Sequence, residues 1–204
     1  MQIRKQILFS FFVGIIGILF TSIRTLDAFP VAAIDVSKTK KEALELAKQY
    51  SKVTNFGTFD EAQVHFADDH TAMTFLEHQV GINKANQLMR NQIPVWHWRV
   101  RLHKTGSDDM FTAEIGTNGE LQSLERKVPK ELSMKSISQD EAKKLCYSFA
   151  SNAINVDLKT WRLVTESQNK LKSRTDHSFV WEDTSQDFAK GRLRISSSVC
   201  GNRM

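Results

Sequence analysis

Six histidines and two cysteines are the residues of this chain best suited to metal or nucleophile chemistry. His65 and His70 stand five apart beside Asp68 and Asp69, and His78 follows. A helix-borne zinc site needs the His-Glu-x-x-His spacing, which puts two ligands and a base on one face. That spacing is absent, so these histidines read as exposed or hydrogen-bonded. His97 and His103 share parity along an alternating stretch, opposite Trp96 and Trp98. A straight strand would hold the two histidines about 20 Å apart, too far to share an ion. Arg174, Asp176 and His177 combine cation, acid and base, yet no Ser or Cys stands in an activating context. The favoured reading is a strand-entry network, with Asp176 accepting backbone hydrogen bonds and Arg174 pairing with it. Trp98 and Trp181 read as core, a ligand-binding shelf being the alternative. Cys146 falls on an apolar helical stripe as a buried thiol. Cys200 follows Val199 and so faces the other way if Leu193, Ile195 and Val199 point inward. A disulfide between the cysteines is permitted outside the cytoplasm but is not the favoured reading. No Gly-rich phosphate loop or dinucleotide fingerprint occurs. The expectation is therefore a chain without catalytic, cofactor-binding or metal-binding residues, and without a cofactor.

The elements that would position these residues follow from composition and periodicity. Of 204 residues, 41% are hydrophobic and 25% charged, with 9 Gly, 3 Pro and 2 Cys. This excludes collagen-like, disulfide-scaffold and wholly disordered chains. The net charge of +5 is no nucleic-acid signature. Arg4, Lys5 and Arg24 account for three of the 28 basic residues, and all 23 acidic ones follow them. The remaining 25 basic residues thus nearly balance the acidic ones, with no basic stripe to track phosphates.

Between Gln6 and Ile23 no charge interrupts ILFSFFVGIIGILFTSI. As a helix this stretch spans roughly 27 Å, close to a bilayer core of ~30 Å. An uncleaved signal anchor is favoured over a cleaved signal, for which Val31-Ala32-Ala33 would be the site, and over a buried helix. Long domains translocate largely regardless of nearby charge, which places the bulk of the chain outside the cytoplasm. Ala28-Phe29-Pro30 reads as the exit turn.

Two segments then follow one plan. Ser37-Lys-Thr-Lys-Lys-Glu42-Ala43 opens one helix, and Ser138-Gln-Asp-Glu141-Ala142 opens another with a capping box. Each helix leads through a polar stretch to alternating strand patterns. The first copy has Val95–Leu102, Phe111–Ile115, an Asn118-Gly119 hairpin signal and a third strand over Leu121–Val128. The second has His177–Glu182, Leu193–Val199 and a turn at Gly201-Asn202. Glu141 follows Glu42 by 99 positions, whereas Trp181 follows Trp98 by 83. Pairing the tryptophans implies about 16 extra residues in the first copy, assigned to helix around Thr71–Asn91 with a break at Gly81. The second copy is expected to stop where its last strand should begin, leaving an open sheet edge.

Ala28-Phe29-Pro30-Val31, Asp35-Val36, Glu42-Ala43, Phe75-Leu76-Glu77, Gly81, Ala85-Asn86, Trp96–Arg101, Gly119, Val128-Pro129 and, most strongly, Arg174–Glu182 carry a resemblance across nearly the whole chain. It resembles the extracytoplasmic region that opens certain bacterial intramembrane proteases of the CPBP family, relatives of CAAX-processing endopeptidases. Family members continue into membrane helices whose metal site uses an adjacent Glu pair, a downstream Arg and histidines. This chain has no Glu-Glu dipeptide and no second membrane-length apolar run. The resemblance therefore implies a protease-associated, non-catalytic region lacking the protease core. The helix-then-hairpin plan is also similar to PepSY-type modules, which implies binding or inhibitory roles. The expected fold is α+β: a transmembrane anchor over 1–26, a first PepSY-like helix-plus-antiparallel-sheet module over 27–133, and a second, truncated one over 134–204. The expected partners are the membrane and a protein or peptide substrate or the missing protease membrane core, with no nucleic acid. The expected role is to position or restrain substrate; the alternative is a free-standing PepSY-like envelope binding or inhibitory module.

Overall fold

The computed structural model describes residues 2–28, 34–54, 56–185, 188 and 190–204. The exit turn at Phe29-Pro30 and the cleavage site at Val31-Ala32-Ala33 lie outside the described residues. The chain is α+β, with an N-terminal apolar helix and two antiparallel sheets. It divides into two units, residues 1–35 with 69–95 and residues 36–68 with 96–204.

The first unit is helical. Helix α1 spans Gln2–Ala28, and its 19-residue stretch Gln6–Arg24 is long and apolar enough to cross a membrane, with none of it buried. The helix expected around Thr71–Asn91 is two helices, α3 (His70–Val80) and α4 (Ile82–Asn91). Asp69 caps α3 by accepting from the Ala72 N–H. Gly81, at φ 79°, makes the break between them. Met73, Leu76, Ala85 and Met89 repeat at helical spacing and are buried.

The second unit contains both sheets. Helix α2 (Lys40–Val53) leads into four antiparallel strands in chain order: β1 (Glu61–Asp68), β2 (Trp96–His103), β3 (Met110–Gly116) and β4 (Leu121–Arg126). Helix α5 (Gln139–Ile154) leads into three: β5 (Arg162–Lys170), β6 (Thr175–Glu182) and β7 (Arg194–Cys200). Both helices start with a capping box, Thr39 with Glu42 and Ser138 with Glu141. Each hydroxyl accepts from the N3 N–H while the N3 carboxylate accepts from the cap N–H, so two orphan donors are satisfied. Small residues line the buried side of each helix and let the sheet approach. Ala43 and Ala47 pack on Val100, Leu102, Phe111, Ala113 and Ile115. Ala142, Cys146 and Ala150 pack with Phe179, Trp181 and Val199.

Two sequence expectations need correction. Strands β1 and β5 occupy stretches read as merely polar. Most of their residues are exposed, so hydrophobic alternation, which reports a buried face, is too thin to show there. The tryptophan pairing is also displaced. The Trp98 indole N–H donates to the Lys38 carbonyl, one residue before the cap of α2, at 2.8 Å. The position with that role in the second sheet is His177, whose Nε2 meets the Ile137 carbonyl, one residue before the cap of α5, at 3.0 Å. Both lie third in their strands, and their β3 and β7 partners, Ile115 and Val199, are each the penultimate residue of the strand. His177 follows Trp98 by 79 positions, so the first copy carries about 20 extra residues rather than 16.

Candidate functional site

The histidines fall into separate environments. His65 is on β1, His70 opens α3, and His78 is in the last turn of α3. His97 and His103 share the face of β2 opposite the core, each beside its own carboxylate. His97 Nε2 is 3.5 Å from Glu114, and His103 Nε2 is 3.2 Å from Glu61. Glu114 also accepts from Arg99 at 2.7 Å. No group of three or more metal-ligating side chains gathers among the described residues.

Arg174 and Asp176 form one hydrogen-bonded network, whereas His177, the next residue of β6 and so on its other face, meets the Ile137 carbonyl separately. Arg174 is 4% exposed and donates from Nε to Asp176 at 2.7 Å. Its Nη1 donates to the carbonyls of Pro129 and Leu132 at 2.7 and 2.8 Å. Asp176 also accepts from the Gly201 N–H at 3.0 Å. The segment joining the two sheets is thus pinned to the start of β6, reinforced by Thr175 N–H donating to Ser136 and Ser173 donating to Lys130. Gly201 is at φ 60°, and a Cβ there would meet Met134 Cβ at 2.6 Å, so the turn after β7 admits only glycine without rearrangement. The bonds of Arg174 and Asp176 go to each other and to backbone groups, while His177 bonds the Ile137 carbonyl through Nε2 and keeps Nδ1 buried without a partner among the described residues.

At the other end of β6, buried Glu182 accepts from Arg162 and from Arg194 across β5, β6 and β7. The Arg194 guanidinium, seconded by Arg162, holds its carboxyl below the usual carboxylate range against the cost of burial. Trp181 is fully buried and Trp98 half-buried, both on core faces. Cys146 and Cys200 are free thiols, both pushed up by burial and so kept protonated at neutral pH. Cys146 Sγ lies 3.8 Å from Met204 Sδ.

A cavity of about 350 Å³, which individual residue types do not reveal, lies beside the second sheet. It is lined by every residue of β4, by Ile195–Ser198 of β7, and by Cys146, Phe149, Ala150 and Ile154 of α5. A cavity over one face of a strand touches alternate residues. One that touches consecutive residues runs along the strand's edge. Strands β4 and β7 are each the last of their sheet and are not hydrogen-bonded to one another. The cavity is therefore flanked by the outer edges of β4 and β7 and backed by the apolar side of α5; the β7 edge is closed at Cys200 by its bridge to Arg203, and Met204 packs there against Ser197 and Cys146. The sequence signal for it was the open edge after β7; nothing in the sequence placed β4 beside it.

Comparison with protein-family models, with curated proteins and with solved structures finds no match for this chain.

Proposed function

We propose that this chain is a membrane-anchored, non-catalytic, extracytoplasmic polypeptide-binding region, of the kind that opens CPBP-type intramembrane proteases, and that it positions or restrains substrate. The observation that carries this reading is a fully exposed span of 19 apolar-rich residues in a chain whose two sheets leave unpaired edges beside an apolar cavity. An apolar helix with no buried face needs a lipid or protein surround. Sheet edges recognise extended polypeptide through main-chain hydrogen bonds, a binding mode that requires no acid, base or metal. The two capped helix-plus-sheet arrangements are consistent with PepSY-like modules.

The experiment is extraction of native membranes at alkaline pH, followed by sizing and co-purification. The chain is expected in the membrane pellet, associated with, or continuous with, a polypeptide whose membrane helices carry Glu-Glu and His. A soluble product beginning near Ile34 overturns the anchor. A stable partner unrelated to any protease overturns the protease association in favour of a free-standing envelope binding module.

A further inference from the structure

Strand β1 is the outer strand of its sheet, paired with β2 alone. Strand β5 holds the same place in the second sheet and carries Arg162, Glu166 and Lys170 along its length. Charges of that kind guard an edge against pairing with another chain. Strand β1 has no Asp, Glu, Lys or Arg from Ala62 to Ala67. Its core side is also poorly covered. Ala62, Val64 and Phe66 stand there opposite Leu102, Val100 and Trp98. Val100 and Leu102 are fully buried, whereas Ala62 is exposed and Phe66, edge-on to the Trp98 ring at 5.0 Å, is 40% exposed. An open backbone edge and an uncovered apolar side therefore coincide on one strand.

The ladder shows which backbone groups of β1 face outward. The Asp69 N–H donates to the Val95 carbonyl at 2.8 Å, one step beyond the Asp68–Trp96 pair in the same register. Hydrogen-bonded pairs of an antiparallel ladder alternate, so the odd-numbered residues bond to β2 while Ala62, Val64 and Phe66 turn their N–H and C=O groups outward. We propose that this edge pairs antiparallel with the β1 edge of a second copy of the chain, about a twofold axis at Val64. The strand is its own complement in that register. Val64 meets the partner's Val64 and Phe66 meets the partner's Ala62, so the exposed ring lies over the smallest side chain of the strand. These pairs exchange the outward main-chain bonds. On the opposite face Gln63 meets the partner's His65, and Glu61 lies diagonal to it. Registers centred on Gln63, His65 or Phe66 set an aspartate against Phe66, Ala62 or Val64 respectively. Only the axis at Val64 gives all three an apolar neighbour. Pairing ends there, because the next step would set Asp60 against the partner's Asp68. A seam of this length is smaller than a standard interface of about 800 Å² per partner, so it is populated where the anchor confines both copies to one membrane. In that respect the inference rests on the anchoring proposed above, and it goes further by naming a second copy as the partner.

The test is disulfide trapping of the full chain in native membranes with copper phenanthroline. Gln63→Cys and His65→Cys chains, co-expressed with different tags, should cross-link to one another. Gln63 and the partner's His65 form a non-hydrogen-bonded pair, about 4.5 Å apart at Cα and within disulfide reach. Each variant alone places its cysteines diagonally, roughly 7–8 Å apart, so mixed cross-links should exceed either self-cross-link about tenfold. The single variants also report any bridge made through native Cys200. Ala62→Pro removes only an outward N–H, which leaves the β1–β2 ladder and the melting temperature in place, and should reduce trapping about tenfold or more. Asp68→Asn relieves the opposed aspartates and should raise trapping several-fold at neutral pH. Absence of the mixed cross-link overturns the proposal. So does self-cross-linking of either variant at the mixed level, which means another register or random collision. Slowed amide exchange at 62, 64 and 66 without chain-to-chain cross-links would show another polypeptide on the edge, which also overturns it. Any such failure in chains that stay in the alkaline membrane pellet leaves the proposed function standing.

Discussion

Replacing Arg174 by Ala tests the network that joins the two sheets. The side chain is 2% exposed and makes three hydrogen bonds, one to the Asp176 carboxylate and two to main-chain carbonyls. Removing it strands the Pro129 and Leu132 carbonyls and leaves a carboxylate without its cation. Hydrogen bonds to a charged group contribute about 1.5–3 kcal/mol each, and truncating one partner of a buried pair costs about 3–5 kcal/mol. Asp176 is 21% exposed and keeps the Gly201 N–H, which moves the expectation to the lower part of that range. The predicted loss is about 3–4 kcal/mol, read from the urea midpoint of the full chain in detergent micelles. Amide exchange should locate the damage at residues 129–136 before it spreads. Arg174→Lys keeps the charge but lacks the fork that reaches three acceptors, so it should lose roughly half as much. A loss below about 1 kcal/mol for Arg174→Ala would refute the assignment of these bonds as the fastening between sheets.

Three further outcomes follow from the geometry. Amides of Leu193–Val199 should exchange faster than those of Phe111–Ile115, because β7 is an edge and β3 is central; equal rates in a monomeric sample would show β7 fully paired. Glu182 has its carboxyl lowered by the bond from Arg194 and then by Arg162, so its stabilisation is present above the unfolded carboxylate pKa and lost as pH falls through the folded one. Glu182→Gln should therefore cost stability at neutral pH and progressively less as pH falls through the lowered carboxyl pKa, and a pH-independent cost in urea titrations would contradict this. Gly201→Ala forces a left-handed backbone and a 2.6 Å contact with Met134 onto a Cβ, so a loss of about 2 kcal/mol or more is expected by thermal melting, against near neutrality for Asn202→Ala, whose side chain is exposed.

Local rules in the chain already specify the apolar span of α1, the capping box at Ser138, the break at Gly81 and the turn at Gly119, while the first helix, read as opening at Ser37, is capped by Thr39. Each depends on residues a few positions apart: a run without charge, a hydroxyl three residues before a carboxylate, a glycine at positive φ. The strands β2, β3 and β6 are legible for the same reason, since one buried face leaves a period of two. Strands β1 and β5 escape because edge position leaves them mostly exposed, and propensity without burial is a weak signal. The equivalence of Trp98 with His177 also escapes. Sequence similarity matched tryptophan with tryptophan, while the structure matches two different side chains by the carbonyl each one meets. The Arg174–Asp176 pair was visible locally, but the acceptors of Arg174 at Pro129 and Leu132 lie more than forty residues upstream. The cavity belongs wholly to the tertiary level. Its walls come from β4, α5 and β7, which are remote in sequence, and it runs along the outer edges of two strands, which no side-chain pattern records.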